Sequence, residues 1–459
     1  MLILCLKLIL ERFHKIYCLF REPKILCVPL RNKTNKMSFS ERDKKHNWHP
    51  YTQHKTAPNF PAIIKGKDAL LWDENGKEYI DAIASWWVNP FGHSNTIIAD
   101  AIYKQLTTLE HVLFGGFTHD KAVELSEKLI AILPENQKKL FYSDNGSTAV
   151  EIAIKVALQF HYNQNHTKSK IIAFEDAFHG DTFGAMAASG ISFFTEAFEG
   201  SLLEVSRIPV PVKGKEAETL KVLEELLQTN QYAAFVFEPL VLGAAGMVMY
   251  EPEILDQLIA LCKTHKVFTI ADEVMTGFGK TGKTFASNYL KEIPDMMCMS
   301  KALTGGTIPM AITSFTQTIF DGFYNDDVNK ALFHGHTFTA NPTGCAAALA
   351  SIDLLQTAKI QESIARVNQS HLRFESKIKN HPKVKTTRVL GVIFALEIVS
   401  ESQESYYGTM RNKLYNFFIE NGIILRPVGN IVYILPPYII EDFQLEKVYQ
   451  TIEKALEIV

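Results

Sequence analysis

"DMMCMSKALTGG", residues 295–306, runs an apolar segment straight into a lysine and a pair of glycines. Met296 to Met299 are apolar without alternation, which reads as a short strand covered on both faces. Ser300 and Lys301 close it, and Gly305-Gly306 follow at once. A buried ammonium is costly unless it is paired or put to use. A lysine at the carboxyl end of such a strand therefore needs a reason.

Upstream, the same grammar repeats. "KLFYS" (139–143), "KIIAF" (170–174), "AAFVFEPLV" (233–241) and "VFTIADEV" (267–274) read as buried strands. Between them, "TAVEIAIKVALQFHY" (148–162), "ETLKVLEELLQ" (218–228) and "EILDQLIALCKTHK" (253–266) carry the helical period. Continuous apolar strands alternating with amphipathic helices predict an α/β fold with a mostly parallel sheet covered by helices. After Asn341 the pattern turns helical, with "PTGCAAALASIDLLQ". It then mixes strands ("GVIFALEIV", "IVYILPPYII") with helices, as expected of a smaller α+β domain. "ALLWDENGKEYIDA" (69–82) reads as a hairpin around Asn75-Gly76. The expected division is an extension over 1–36, a segment 37–83 packing with the small domain, a large domain over 84–345 and a small domain over 346–459.

The chain has 459 residues, 47% hydrophobic and 21% charged, with a net charge of -3. That is enough for two domains and gives no electrostatic case for nucleic acid. No apolar run reaches the roughly 18 residues of a membrane span. The cysteines at 5, 18, 27, 262, 298 and 345 form no CxxC pair. The expectation is a reduced, cytoplasmic protein without disulfides or a structural metal. Residues 1–36 are basic and leucine-rich. They read as an upstream extension before a start near Met37, with a targeting or membrane-associating segment as the alternative.

Ligands gather outside the carboxyl ends of the strands of an open parallel sheet, and four motifs fall there. "SDNGSTAVE" (143–151) puts Gly146-Ser147 at a helix start, where free N–H groups suit a phosphate or an ordinary cap. "ADE" (271–273) leaves Asp272 desolvated, either as a loop-start acid or as the partner of a buried cation. Lys301 is either a snorkelling lysine or an amine nucleophile with a lowered pKa. "FEDAFHGDTFGAM" (174–186) adds an aromatic, a histidine and an acid. An amine, a carboxylate, an anion site and flat apolar faces together describe a holder for pyridoxal 5'-phosphate.

These motifs resemble the class III, or omega, aminotransferases of the fold-type I pyridoxal-phosphate enzymes. "KALTGG" and "ADE..TGFG" carry the class, and the match runs from Trp48 onward. It includes "ASWWVNPFGH" (84–93), "HVLFGGFTH" (111–119), "EPLVLGAAGM" (238–247) and "HGHTFTANP" (334–342). "WHPYT", "SWW" and "RP.G...Y..PPYII" are similar to members that make 7,8-diaminopelargonate from 7-keto-8-aminopelargonate in biotin synthesis. The resemblance implies a seven-stranded large-domain sheet and a homodimer. It implies S-adenosylmethionine as amino donor, with lysine, or another omega-aminotransferase activity, as alternatives. A non-catalytic binding protein on the same fold is the alternative of another class.

Residue by residue, it implies that Lys301 carries the cofactor and Asp272 binds its ring nitrogen. Gly146 and Ser147 would take the phosphate, with Thr337 reaching it from the partner subunit. Phe178 would stack on the ring, and His336 would adjoin the cofactor. Tyr51, Trp86, Phe178, Gly335 and Tyr433 would border the substrate, and Arg426 would clamp a carboxylate. The chain departs from the subfamily pattern at Phe178 (tyrosine expected), Lys280 (arginine) and His336 (proline). "VNPFGH" also replaces a glycine-tyrosine stretch.

Overall fold

Seven strands form the central sheet: β1 (Gln137–Ser143), β2 (Lys170–Phe174), β3 (Val205–Ile208), β4 (Tyr232–Phe237), β5 (Phe268–Asp272), β6 (Met296–Met299) and β7 (Ala311–Thr316). Their order in the computed structural model is β1-β7-β6-β5-β4-β2-β3. It describes residues 37–190, 192–400 and 408–459, so the expected extension 1–36 lies outside the described residues. β7 is antiparallel to both its neighbours, and the other pairings are parallel. The expected α/β architecture, a mostly parallel seven-stranded sheet with helices, is what the chain adopts.

Every residue of β4 and of β6 is buried. Two faces of helices demand this, and the period-two alternation divides the load. Ile270, Met296 and Cys298 pack under the helix Gly146–Asn163, in a core with Ala149, Val150 and Ala153. Ala271, Met297 and Met299 face the other way, into the core that holds Leu255 and Leu258 of the helix Pro252–Thr264. Each buried methylene removed from water contributes about 0.8 kcal/mol, so both layers stabilise the sheet.

β3 and β7 escape the apolar-run reading for a physical reason. β7 buries polar residues that are satisfied only in three dimensions. Thr313 Oγ1 donates to the Ala149 carbonyl at 2.9 Å, and Ser314 Oγ donates to Gln137 Oε1 at 2.7 Å. β3 ("VSRI") carries Arg207, which donates to the carbonyls of Ala188 and Ser189 at 2.9 and 2.7 Å.

Two smaller sheets use both ends of the chain. Ile63–Lys67, Leu70–Asp73 and Glu78–Asp81 form an antiparallel run, and Ile423–Ile424 joins it in parallel, with Ile423 opposite Ile80. Val384–Leu390, Ile393–Ile398 and Ile431–Ile434 form the other sheet. Behind it, Phe374 and Tyr449 from the helices Ala358–Ile378 and Asp442–Ile458 stack with ring centroids 4.2 Å apart. The described residues 37–62 belong to a separate unit. Its helix Phe39–His46 starts with a Ser38–Glu41 capping box. Among the described residues, no helix is long and apolar enough to cross a membrane.

The turn of the Val384–Leu390/Ile393–Ile398 hairpin is pinned to the loop after β5. Val392 N donates to the Lys280 carbonyl at 2.9 Å. Gly391 has φ +59, and a Cβ there would come within 2.3 Å of Gly282 N and Thr281 C. Gly391→Ala is expected to cost roughly 2–4 kcal/mol in urea unfolding, from left-handed strain plus a backbone clash. Gly76→Ala is the control: φ is +82, with nothing within 4 Å of the added Cβ. It should cost only the strain, about 1–2 kcal/mol.

Candidate active site

A cavity of about 520 Å³ lies where the parallel strands end, lined by Ser147, Phe178, Glu238, Asp272 and Lys301, among others. Glu238 directly follows β4, Asp272 ends β5, and Lys301 comes two residues after β6. The sheet therefore delivers three ionisable side chains to one place.

Asp272 sits opposite Cys298 in the β5–β6 register, three residues before Lys301 on the neighbouring chain path. Asp272 as a residue is 4% exposed. Oδ1 accepts from Val274 N at 3.0 Å, and Oδ2 meets His179 Nδ1 at 2.8 Å. His179 Nε2 is buried and has no hydrogen-bond partner. Lys301 has a left-handed backbone (φ +49), and its Nζ lies 4.9 Å from the centre of a Trp87 ring. Burial pushes the Lys301 amine below its ordinary pKa, and the charges of Asp272 and Glu238 push back. The Glu238 carboxyl is pushed up to about 7 by burial; His179 opposes the rise and Asp272 adds to it. Glu238 accepts from Phe178 N at 3.0 Å and Gly243 N at 2.8 Å, and so ties the loops after β2 and β4.

The anion end is the start of the helix Gly146–Asn163, held against a second helix start whose N–H groups are already taken. Asn145 caps the helix Gly146–Asn163. A Cβ on Gly146 would come within 2.5 Å of Val274 Cγ1, so only glycine brings the helix start this close to the strand ends. Ser147 Oγ accepts from Thr182 N at 2.9 Å. Glu151 receives Thr182 Oγ1 at 2.7 Å and Ala185 N at 3.0 Å, which satisfies the first N–H groups of the helix Phe183–Ala188. Free N–H groups and the helix dipole make such a place favourable for a phosphate. An amine, a buried acid and a helix start around one cavity fit a cofactor with an aldehyde, a ring nitrogen and a phosphate.

The aromatic wall has an unusual backbone. Ala84, Ser85, Trp86 and Trp87 all have positive φ: +46, +47, +72 and +72. This is one turn of left-handed helix without glycine, costing roughly 1–2 kcal/mol per residue. Trp86 packs its ring under Arg426, whose guanidinium carbon lies 4.1 Å from the ring centre. Trp87 meets Tyr433 edge-on at 6.0 Å.

Gly146, Ser147, Phe178, Asp272 and Lys301 thus line one cavity. Trp86, Arg426 and Tyr433 do not line that cavity; Tyr433 meets Trp87, which does, and Arg426 lies over the neighbouring Trp86. Gly335, His336 and Thr337 do not line the cavity of their own chain. They lie between β7 and the helix Pro342–Leu355, with Gly335 and Thr337 exposed. Tyr51 belongs to the separate unit 37–62, where its backbone is left-handed (φ +52). Sequence reasoning passed over Glu238. It directly follows the end of a buried strand, the same signal that singled out Asp272.

Residues 51–456 match the family described as aminotransferase class-III. The chain is 42% identical to the adenosylmethionine-8-amino-7-oxononanoate aminotransferase of Synechococcus elongatus, over 90% of this chain and 98% of that protein. It is 36% identical to the protein of that name from Geobacter sulfurreducens, covering 91% and 97%. Among solved structures, it is similar to the adenosylmethionine-8-amino-7-oxononanoate aminotransferase of Methanocaldococcus jannaschii. The TM-score is 0.87 and the identity 32%, covering 92% and 98% of the two chains. The omega transaminase of Pseudomonas jessenii in complex with PMP has a TM-score of 0.85 at 27% identity, covering 92% and 98%.

Lys280 is fully buried beside this site, and its Nζ donates to the Gly277 carbonyl at 3.2 Å. Burial first, and then the charge of Lys301, push its amine down to about 7, with Glu273 opposing. Below that pH both folded and unfolded chains carry the proton, and the native state bears the full cost of a buried ammonium. Between about 7 and the ordinary 10.5 the unfolded chain binds more protons, so that cost fades as pH rises. Lys280→Met is expected to gain on the order of 1–4 kcal/mol in stability near neutral pH or below. That gain should shrink toward zero at alkaline pH, as read from urea unfolding of the cofactor-free protein across the range.

Proposed function

Because the chain belongs to the class-III aminotransferases, we propose that it aminates 8-amino-7-oxononanoate, which is 7-keto-8-aminopelargonate. The product is 7,8-diaminopelargonate for biotin synthesis, the donor is S-adenosylmethionine, and pyridoxal 5'-phosphate is the cofactor. The observation that carries this reading is that Asp272 and Lys301 leave adjacent strand ends and line one cavity. The names of the similar proteins support the choice of substrates.

When bound, pyridoxal 5'-phosphate supplies an aldehyde that takes up amines and a ring that draws in the electron pair released at the substrate's α-carbon. Lys301 Nζ would hold the aldehyde end. Displaced by the donor's amine, it would take and return the α-proton, and its desolvation favours the uncharged base this needs. Asp272, fixed by His179 and Val274 N, would hold the proton on the ring nitrogen. The N–H groups of Gly146 and Ser147 would hold the phosphate. Phe178 would cover the ring. Arg426 would clamp the carboxylate that both substrates carry, with a planar fork suited to it. The faces of Trp86 and Trp87 would suit an adenine in one half of the cycle and an aliphatic chain in the other.

The working unit in this reading is a homodimer in the cytoplasm. Thr337 would reach the partner's phosphate, and Gly335 and His336 would border the partner's pocket. Tyr433 would line the substrate side, a role that the resemblance also gives to Tyr51. The exposure of Phe333 and Phe338, 65% and 61%, on either side of residues 335–337 supports a second subunit there. Cys262, Cys298 and Cys345 are free and buried, which fits a reduced compartment.

The test incubates cofactor-loaded protein with 8-amino-7-oxononanoate and either S-adenosylmethionine or lysine, and follows 7,8-diaminopelargonate by mass spectrometry. Product with S-adenosylmethionine and not lysine is expected. Product with lysine alone overturns the donor, and no product with either overturns the function. Lys301→Ala is expected to lower turnover at least ~10³-fold; near-wild-type turnover would remove Lys301 from the chemistry.

A further inference from the structure

We propose that Asp81 and His93 are positioning residues, clamping the left-handed turn whose two tryptophans set how substrates bind. The proposal rests on the aminotransferase reading for its substrates, but its physical basis is independent of it.

Asp81 ends the strand Glu78–Asp81 and is wholly buried. Its Oδ1 accepts from Ile83 N at 3.2 Å, and its Oδ2 accepts from Ser85 Oγ at 2.9 Å. Oδ2 also meets His93 Nε2 at 2.9 Å. His93 Nδ1 lies 3.0 Å from Asn89 Nδ2. With the Asn89 amide donating to Nδ1, Nε2 carries the hydrogen and donates to Asp81. His93 is itself anchored, since its backbone N–H and carbonyl both bond Asp68, at 2.7 and 3.1 Å. One buried carboxylate thus joins groups before, within and after the turn.

The turn's own backbone bonds do not explain its hand. Trp87 N donates to the Ile83 carbonyl at 2.8 Å and Val88 N to Ala84 at 2.9 Å. A right-handed turn would make such bonds without strain. Nor does glycine relieve the strain, for residues 84–87 contain none. The inverted hand does something else: it sends two consecutive tryptophans to two different partners. Trp86 goes to Arg426 and Trp87 to the amine of Lys301. Strain of this kind persists only where the surroundings over-determine it, and the Asp81–His93–Asn89 clamp supplies that determination. Released, the turn can relax and both rings leave their partners, while Lys301, Asp272 and the helix start at Gly146 stay in place on the sheet.

The experiment compares Asp81→Asn, His93→Phe and the double variant Asp81→Asn/Ala84→Gly with wild type, as cofactor-loaded protein. KM for both substrates is expected to rise about 10-fold or more in each single variant, with kcat within about threefold. Glycine at 84 accepts the left-handed backbone without strain, so the double variant should recover most of the lost KM. Near-ultraviolet circular dichroism of the tryptophans should change in the single variants and return in the double. That signal reads the turn whether or not the protein transaminates, so a failed activity assay and a failed clamp are told apart. Unchanged KM and spectra in both single variants, or a fall in kcat with KM unchanged, overturns the proposal. Should both single variants fail to fold, Ser85→Ala breaks one contact only. It should raise KM about threefold, and an unchanged KM there sinks the idea equally.

Discussion

An amine and a carboxylate delivered to one cavity by neighbouring parallel strands are the constraint around which this molecule is arranged. β5 and β6 are parallel neighbours, and their ends carry Asp272 and, three residues further on, Lys301. Two charges withdrawn from solvent carry a penalty of several kcal/mol each unless their partners are well placed. The surrounding structure meets that penalty locally. Asp272 has a backbone N–H and an imidazole, Glu238 has two backbone N–H groups, and Glu273 receives Thr276, Ala286 and Ser287. Lys301 has the face of Trp87 and the opposing pull of two acids. The amine is thus held by a ring face and by charge, and it is the group that chemistry would use.

The site draws on both ends of the chain. Asp81 to His93 come before the large sheet, and Gly391, Arg426 and Tyr433 come after it, yet all close on the same region. The parallel contact of Ile423–Ile424 with Glu78–Asp81 is what joins these segments. The hairpin at Gly391 then presses on residues 280–282, immediately downstream of the strand that ends in Asp272. The small sheets thus hold the tryptophan–arginine wall against an active face that the large sheet builds.

Lys301 and Asp272 were legible because each closes a largely apolar strand, and position at a strand end already implies desolvation. Gly146 was legible because a strand, a glycine and a helical period follow one another. β3 and β7 were not. Their polar residues are satisfied by partners far away in sequence, such as Ala149 for Thr313, and no local pattern records that. The hand of the turn at Ala84–Trp87 was equally hidden. Sequence reading looks for glycine or asparagine at positive φ, and here the contacts of Ile83, Ser85 and His93 with the buried Asp81 carboxylate override that preference. Gly335, His336 and Thr337 form a fourth case, in which a resemblance named residues that lie outside their own chain's cavity.

The left-handed turn also bears on how such a sequence can drift. Most chance substitutions lower stability, and glycine at Ala84 or Ser85 is among the few that would raise it by relieving the backbone. A lineage pressed only for robustness, as under heat, would be drawn toward that change, and the carboxylate that fastens the turn would then be freer to vary. Keeping side chains on an inverted turn is therefore a standing expense, and the buried carboxylate of Asp81 is what sustains it.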